Sequence, residues 1–233
     1  LLLAWITAHS AEHSYMLFRY LSVTPRDFRR QMRWLKRAGW TGLAVRDLRP
    51  YLRGERSGKV VGITFDDGFR NVHSNALPVL SAFGFTATAY FVTSQIGGFN
   101  GWDANLGAGR AECMSKTEVR EWASLGHEVG SHTVDHVRLT AMKPAEAQRQ
   151  VSDSRLALED LSGKAVDGFA YPYGDVSEPV RSMVADAGYA AGVTTRRARA
   201  RARDDMLLLP RRLIRSGDDR GVGDPHPVVL LVA

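Results

Sequence analysis

The apolar run Lys59-Val-Val-Gly-Ile-Thr-Phe is short and rich in β-branched residues, and it predicts a buried strand. His127–Gly130 predicts another short strand. Thr86–Val92, alternating β-branched and aromatic residues, predicts a third. Helical spacing is clearest after Thr24-Pro25-Arg26-Asp27. Pro occupies the first helical position there, Phe28, Met32 and Leu35 share one face, and Gly39 ends the segment. Gly42–Leu48 predicts a short strand running into a helix start. Val72–Phe83 predicts a helix that Pro78 ends or kinks unless it lies in the first turn. Lys116–Ala123, Pro144–Leu161 and Val176–Ala187 predict further helices, with Glu146, Arg149 and Arg155 on the solvated face of the middle one.

Other stretches are less regular. Gly97–Cys113 is Gly-rich and aperiodic, which predicts a long functional loop. Arg197, Arg199, Arg201 and Arg203 alternate with smaller residues, predicting an exposed strand or loop with its charges on one side. The opening Leu1–His9 lacks a basic leader region and is too short to span a bilayer; it predicts a strand. No repeat or linker interrupts the chain. Its 233 residues, 44% hydrophobic, suffice for one large core, so a single domain over residues 1–233 is expected, with 216–233 as a tail of unassigned structure.

Composition narrows the function only slightly. The formal charge of +6 fits ordinary solubility or attraction to anionic envelope polymers. The arginine stripe has no aromatic interleaving and no binding motif, so no nucleic-acid partner is expected. Cys113 is the one cysteine, which excludes an intramolecular disulfide and leaves the compartment open between cytoplasm and bacterial cell envelope.

The chemistry sits at the predicted strand ends. Thr64-Phe65-Asp66-Asp67-Gly68 places two carboxylates where Gly68 lets the chain turn. Successive strand residues point to opposite faces, so one carboxylate can bind a cation while the other stays free as a base. Gly130-Ser131-His132-Thr133-Val134-Asp135-His136 carries two imidazoles four residues apart, which one helical turn would put on one face. Two His and a carboxylate leave coordination positions open for water and substrate. Phe169-Ala170-Tyr171-Pro172-Tyr173-Gly174 predicts a rigid turn able to aim a backbone N–H at a developing oxyanion. Trp102 and Asp103 are candidates to stack on and hydrogen-bond a sugar ring, or else Trp102 simply anchors its loop.

In this order and spacing the three segments resemble the NodB-homology polysaccharide deacetylases, carbohydrate esterase family four, over roughly residues 1–215. The resemblance implies an α/β fold, a distorted (β/α) barrel. It implies Asp67, His132 and His136 as ligands of a divalent metal, most often zinc with cobalt or nickel as alternatives. It makes Asp66 the general base and the Tyr173 backbone amide an oxyanion donor, with Tyr171, Pro172, Trp102, Asp103 and Arg211 as substrate-binding candidates. The implied substrate is an acetylated amino-sugar glycan, and the Phe-Ala-Tyr-Pro-Tyr-Gly form resembles the poly-N-acetylglucosamine deacetylase subgroup. Two departures stand out. Ala170 occupies the position of an arginine that braces the base in many members, and Arg211 or Arg212, after Pro210, is placed to supply that cation. His226 precedes the final apolar run instead of following it; the resembled poly-N-acetylglucosamine subgroup has a permuted barrel with a His at the end of its first strand as the acid, and that resemblance makes His9 the candidate acid, with His13 and His226 as competitors. A deacetylase of a lipid-linked sugar or an O-acetyl ester, and a glycan-binding module with weakened catalysis, are the alternatives.

Overall fold

The structure is a computed structural model that describes residues 23–106, 109–214 and 228–232. Its elements run α1 (Pro25–Arg37), β1 (Thr41–Leu43), α2 (Val45–Leu52), β2 (Val60–Phe65), a π-helical turn (Val72–Ala76), α3 (Leu77–Phe83), β3 (Thr88–Phe91), α4 (Lys116–Ser124), β4 (Glu128–Ser131), α5 (Pro144–Ser162), β5 (Gly168–Ala170), α6 (Glu178–Asp186), β6 (Ala191–Arg197), β7 (Leu209–Leu213) and β8 (Val228–Val232). All the strand pairings are parallel. Strands β2 to β8 pair in sequence, and β8 also pairs with β2 from Val60↔Val228 to Thr64↔Val232, so seven strands close into a ring. Because β8 takes one edge of β2, β1 and β3 share the other: β1 pairs with Val60–Gly62 and β3 with Thr64 and Phe65. The result is a distorted (β/α) barrel.

Strand alternation divides the core in two. Val61, Ile63 and Phe65 face outward and pack under the helices with Phe28, Leu80, Phe91, Trp122, Val151 and Phe169. Val60, Tyr90, Ala170, Ala191, Val193 and Leu209 face inward, where Val45, Leu48 and Leu52 of α2 join them. The inward set includes glycines that make room for Tyr90: a Cβ on Gly130 would stand 2.4 Å from its ring, and one on Gly168 would stand 3.4 Å away. Continuing the same alternation brings Asp66, His132 and Arg211 toward the barrel interior, at the carboxyl ends of β2 and β4 and within β7.

Helices α1, α4 and α5 begin where the sequence predicts. Thr24 Oγ1 accepts the Asp27 N–H at 3.1 Å to cap α1, and Ser115 and Glu118 form a reciprocal capping box on α4. Helix α5 buries Ala147, Val151, Ser154, Leu158 and Leu161, and Gly163 ends it in the left-handed conformation. Among the described residues no helix is long and apolar enough to cross a membrane.

Several expectations need correction. Val72–Phe83 is not one helix: a π-helical turn precedes α3, which places Pro78 in the first turn of α3, where its missing N–H costs nothing. Gly97–Cys113 has structure of its own, a 3₁₀ segment Gly101–Leu106 and bridges Phe69↔Cys113 and Phe99↔Glu112. The arginine alternation is not one-sided, because β6 ends at Arg197 and Ala198 beside it is exposed. Arg155 is not simply solvated: it donates to Glu159, to the Val166 carbonyl at 3.1 Å and to the Ala187 carbonyl, tying α5 to the end of α6. The tail supplies a barrel strand, β8, within 216–233. The strand predicted for Leu1–His9 lies outside the described residues.

The space around Tyr90 gives a direct test. Gly130→Ala forces the Tyr90 ring to move inside a closed barrel and is expected to cost about 2–3 kcal/mol in urea unfolding. Gly84→Ala meets open space and carries only the strain of its positive φ of 65°, so about 1 kcal/mol is expected there.

Candidate metal centre and active site

Three loops at the carboxyl ends of β2, β4 and β5 converge. Asp67, just past β2, has φ 70°. Thr133 and His136, past β4, have φ 68° and 56°, and Tyr173, past β5, has φ 60°. These are all of the non-glycine residues with positive φ among the described residues. Left-handed backbone is costly for residues with a Cβ, and it persists where surrounding contacts enforce it. Those contacts are visible. Thr133 Oγ1 accepts the His136 N–H at 3.0 Å, and Gln150 Oε1 accepts the N–H groups of Val134 and Asp135 at 3.0 and 2.9 Å. The four-residue spacing of the two histidines therefore works through a tight turn and not through a helix; their ring centroids are 4.8 Å apart.

Asp67, His132 and His136 each offer a ligand atom, all within 4.8 Å of one another. Asp67 Oδ1 lies 3.5 Å from His132 Nε2 and 3.3 Å from His136 Nε2. It is buried and accepts no hydrogen bond, an orphaned anionic oxygen that calls for a cation. Ligands about 2.0–2.2 Å from a tetrahedral zinc ion stand about 3.3–3.6 Å from each other, so the observed separations fit a zinc-sized cation. The ring nitrogens fit as well. His132 Nδ1 donates to the Ala170 carbonyl at 2.7 Å, which leaves the Nε2 lone pair facing Asp67. His136 Nδ1 lies 3.1 Å from Tyr173 Oη, which as acceptor sets the same tautomer. Burial, and after it the neighbouring His136, lowers the pKa of His132, favouring the neutral form that ligates.

Asp66 is held separately. Arg211 donates through Nη1 to Oδ1 at 2.7 Å and through Nη2 to Oδ2 at 2.8 Å. The same guanidinium donates to Thr64 Oγ1 at 3.2 Å and to the Thr194 carbonyl at 3.0 Å. Arg211 is 2% exposed, whereas the Asp66 side chain keeps 23% of its surface open. Burial raises the Asp66 pKa, but the charge and hydrogen bonds of Arg211 outweigh it and hold the carboxyl below the usual carboxylate range. Of the two cations considered from sequence, Arg211 points inward and Arg212 outward. Arg211, a substrate-binding candidate from the sequence, directs its donors to Asp66 and the barrel wall. Inward-facing Ala170 leaves the room, and Arg211 reaches in from β7.

The remaining candidates divide. Tyr171, 1% exposed, and Pro172 are buried in the turn that carries Tyr173. No acceptor among the described residues takes the Tyr173 N–H. Trp102 is brought to the site, where its ring lies 4.9 Å from that of His136 and 6.3 Å from that of Phe69. Asp103 is half-buried, and burial followed by the charge of Asp67 raises its pKa. His9, His13 and His226 lie outside the described residues. Arg138 was missed in the sequence. Its guanidinium lies 4.3 Å over the Tyr173 ring, and its only sequence signal is its position two residues past His136.

Comparison with known proteins agrees with this geometry. A sequence model described as polysaccharide deacetylase matches residues 53–192. The poly-beta-1,6-N-acetyl-D-glucosamine N-deacetylase of Staphylococcus epidermidis is 27% identical over 206 residues, covering 83% of this chain and 68% of that protein. The Streptococcus pyogenes deacetylase PplD, solved in complex with acetate, superposes with a TM-score of 0.73 at 25% identity, over 84% of this chain and 83% of that one. IcaB from Ammonifex degensii shares the fold, with a TM-score of 0.72 at 24% identity over 83% and 84% of the two chains.

The Asp66–Arg211 pair makes a pH-dependent contribution to stability. Because the folded pKa of Asp66 is depressed, that contribution is present above the unfolded carboxylate value of about 3.9 and is lost as pH falls through the folded value. Arg211→Met strands the carboxylate in the barrel and is expected to cost about 3 kcal/mol at pH 7. Without Arg211, burial is opposed only by the lesser effects of the His132 and His136 charges, so the pKa of Asp66 in the variant rises above its value in the intact pair, and the deficit shrinks as pH falls and the carboxyl takes up a proton. Urea unfolding of both proteins at pH 7 and pH 4.5 measures the difference; a deficit that is equal at the two values would remove the pair from the account.

Proposed function

The chain belongs to the polysaccharide deacetylase family, and from that premise we propose that it is a metal-dependent hydrolase that removes N-acetyl groups from a glycan containing N-acetylglucosamine. The observation that carries the reading is the orphaned Asp67 Oδ1 facing two histidine Nε2 atoms, beside a second carboxylate held ionised by Arg211. The substrate class is supported by the poly-N-acetylglucosamine deacetylase among the relatives and by the subgroup form of residues 169–174.

Asp67, His132 and His136 would hold the ion, zinc by donor type and spacing. When bound, a divalent cation supplies Lewis acidity, polarising the acetyl carbonyl and acidifying water. Asp66 serves as the base. Its low pKa makes it a weak one, sufficient for water that has been acidified, and each of its oxygens keeps a lone pair beyond the one Arg211 uses. The Tyr173 N–H, fixed by its positive φ, faces the developing oxyanion. Water adds to the carbonyl, the carbon–nitrogen bond breaks, acetate leaves and the amine nitrogen takes a proton. His9 keeps the proposed role of proton donor to that nitrogen. A glycan-binding module has no use for an arginine-held carboxylate beside the donor triad, which favours turnover over binding alone.

Acetate release from N-acetylglucosamine oligomers tests the reading, with protein stripped by chelator and reconstituted with zinc or cobalt. Asp66→Asn is expected to lower turnover by about 10³-fold while still binding metal. His132→Ala is expected to lose both. Full turnover in Asp66→Asn would sink the base assignment, and metal-independent release would sink the metal.

A further inference from the structure

The edge of the site carries a cation that the deacetylase chemistry does not use. Arg138 is exposed, lies over the Tyr173 ring, and makes no ion pair among the described residues. The same ring meets His136 edge-on, with centroids 4.6 Å apart. The guanidinium is therefore about one ring removed from the donor triad, and stacking fixes its orientation without spending its donors. No carboxylate among the described residues forms an ion pair with it; Asp175 Oδ2 accepts from the Thr140 hydroxyl at 2.7 Å and the Thr140 N–H at 3.2 Å, and Asp103 is half-buried. A second exposed arginine, Arg197, ends β6 in register with Arg211, and Thr195, two residues before it, packs against Gly174 of the turn after β5.

Substrate chemistry gives this charge a consequence. Each turnover converts a neutral acetamide and water into an acetate anion, which leaves, and an amine that takes up a proton. The glycan thus gains one positive charge per event and keeps it beside the next scissile sugar. We propose that Arg138 forms a charge-selecting subsite, which receives an anionic substituent (carboxylate or phosphate) on a sugar neighbouring the one deacetylated and disfavours a neighbouring glucosamine ammonium. This rests on the deacetylase reading. Its corollary is a self-limiting reaction on neutral polymers, in which early deacetylation slows attack on adjacent units.

Three β-linked N-acetylglucosamine pentamers test it: fully acetylated, with one flanking acetyl replaced by succinyl, and with one flanking amine free. For the zinc-reconstituted protein kcat/KM is expected to fall in the order succinylated, acetylated, free amine, with about fivefold between the extremes for one partly exposed charge contact. Arg138→Gln should flatten the order, Arg138→Lys should keep part of it, and 0.5 M salt should compress it. A flat order in the wild type, or an order unchanged in Arg138→Gln, overturns the subsite while acetate release upholds the deacetylase. Equilibrium binding of the same pentamers to chelator-treated protein reads the charge order without turnover. It decides the subsite even if no pentamer releases acetate, a result that would overturn the deacetylase reading alone.

Discussion

The ion pair between Asp66 and Arg211 is the constraint around which the inner barrel is arranged. A carboxylate at the end of a buried strand cannot stay charged without a partner, and a guanidinium brought in to meet it must have its own donors satisfied. Arg211 meets both demands with bonds to both Asp66 oxygens, to Thr64 and to Thr194. The pair spans β2, β6 and β7, strands far apart in sequence, so it requires the barrel to be closed. Around it the inward positions are small or shaped to leave space: Ala170 and Val193 flank it, and Tyr90 lies beneath, its ring 5.9 Å from the Arg211 guanidinium. Replacing an arginine on β5 by one on β7 keeps the charge and changes the direction from which it comes.

The donor triad depends on a different resource, backbone strain. Asp67, Thr133, His136 and Tyr173 take left-handed conformations because the turns must reverse within a few residues while their side chains converge. Each is enforced locally, by the Thr133 and Gln150 side chains after β4 and by Gly68 and Gly174 after β2 and β5. Gly68 illustrates the fit: it has φ 69°, and a Cβ there would stand 2.6 Å from the Phe91 ring. Such strain is tolerable because the seven paired strands over-determine where the turns begin.

Much of this was legible in the sequence where local signals are strong. The buried strand ending in Asp66-Asp67, the capped helix at Thr24 and the long helix after Pro144 follow from periodicity and end chemistry. Legibility failed where tertiary closure decides. Strands β6, β7 and β8 are held by pairing across the ring; Leu209-Pro-Arg-Arg-Leu carries no strand signal stronger than its charges. For the same reason the sequence left Arg211 and Arg212 as equal candidates for the bracing cation, since only the alternation within β7 shows that Arg211 points inward. The burial of Tyr171 and Pro172 was not legible either, because a motif marks a turn without saying which of its side chains are packed inside. Arg138 left no trace because stacking on Tyr173 joins two loops that the sequence separates by 35 positions.

Counting charges connects these features. Asp66 and Arg211 cancel, and in the proposed metal site His132 and His136 would ligate without adding charge. That leaves Asp67 as the charge within the triad itself, with half-buried Asp103 nearby, its pKa raised by burial and then by Asp67, and a buried negative charge is unstable without compensation. A monovalent cation would neutralise it and leave nothing to stabilise an anionic transition state. A divalent cation would leave one positive charge, which matches the single negative charge that develops on a carbonyl oxygen under attack. The pairing of Asp66 with Arg211 therefore does more than hold a base in place: were Asp66 unpaired, the two carboxylates would consume the whole charge of the cation. On this accounting the buried arginine reserves the cation's excess charge for the reaction, and the exposed arginine on Tyr173 lies outside the balance, free to meet a charge that arrives with the substrate.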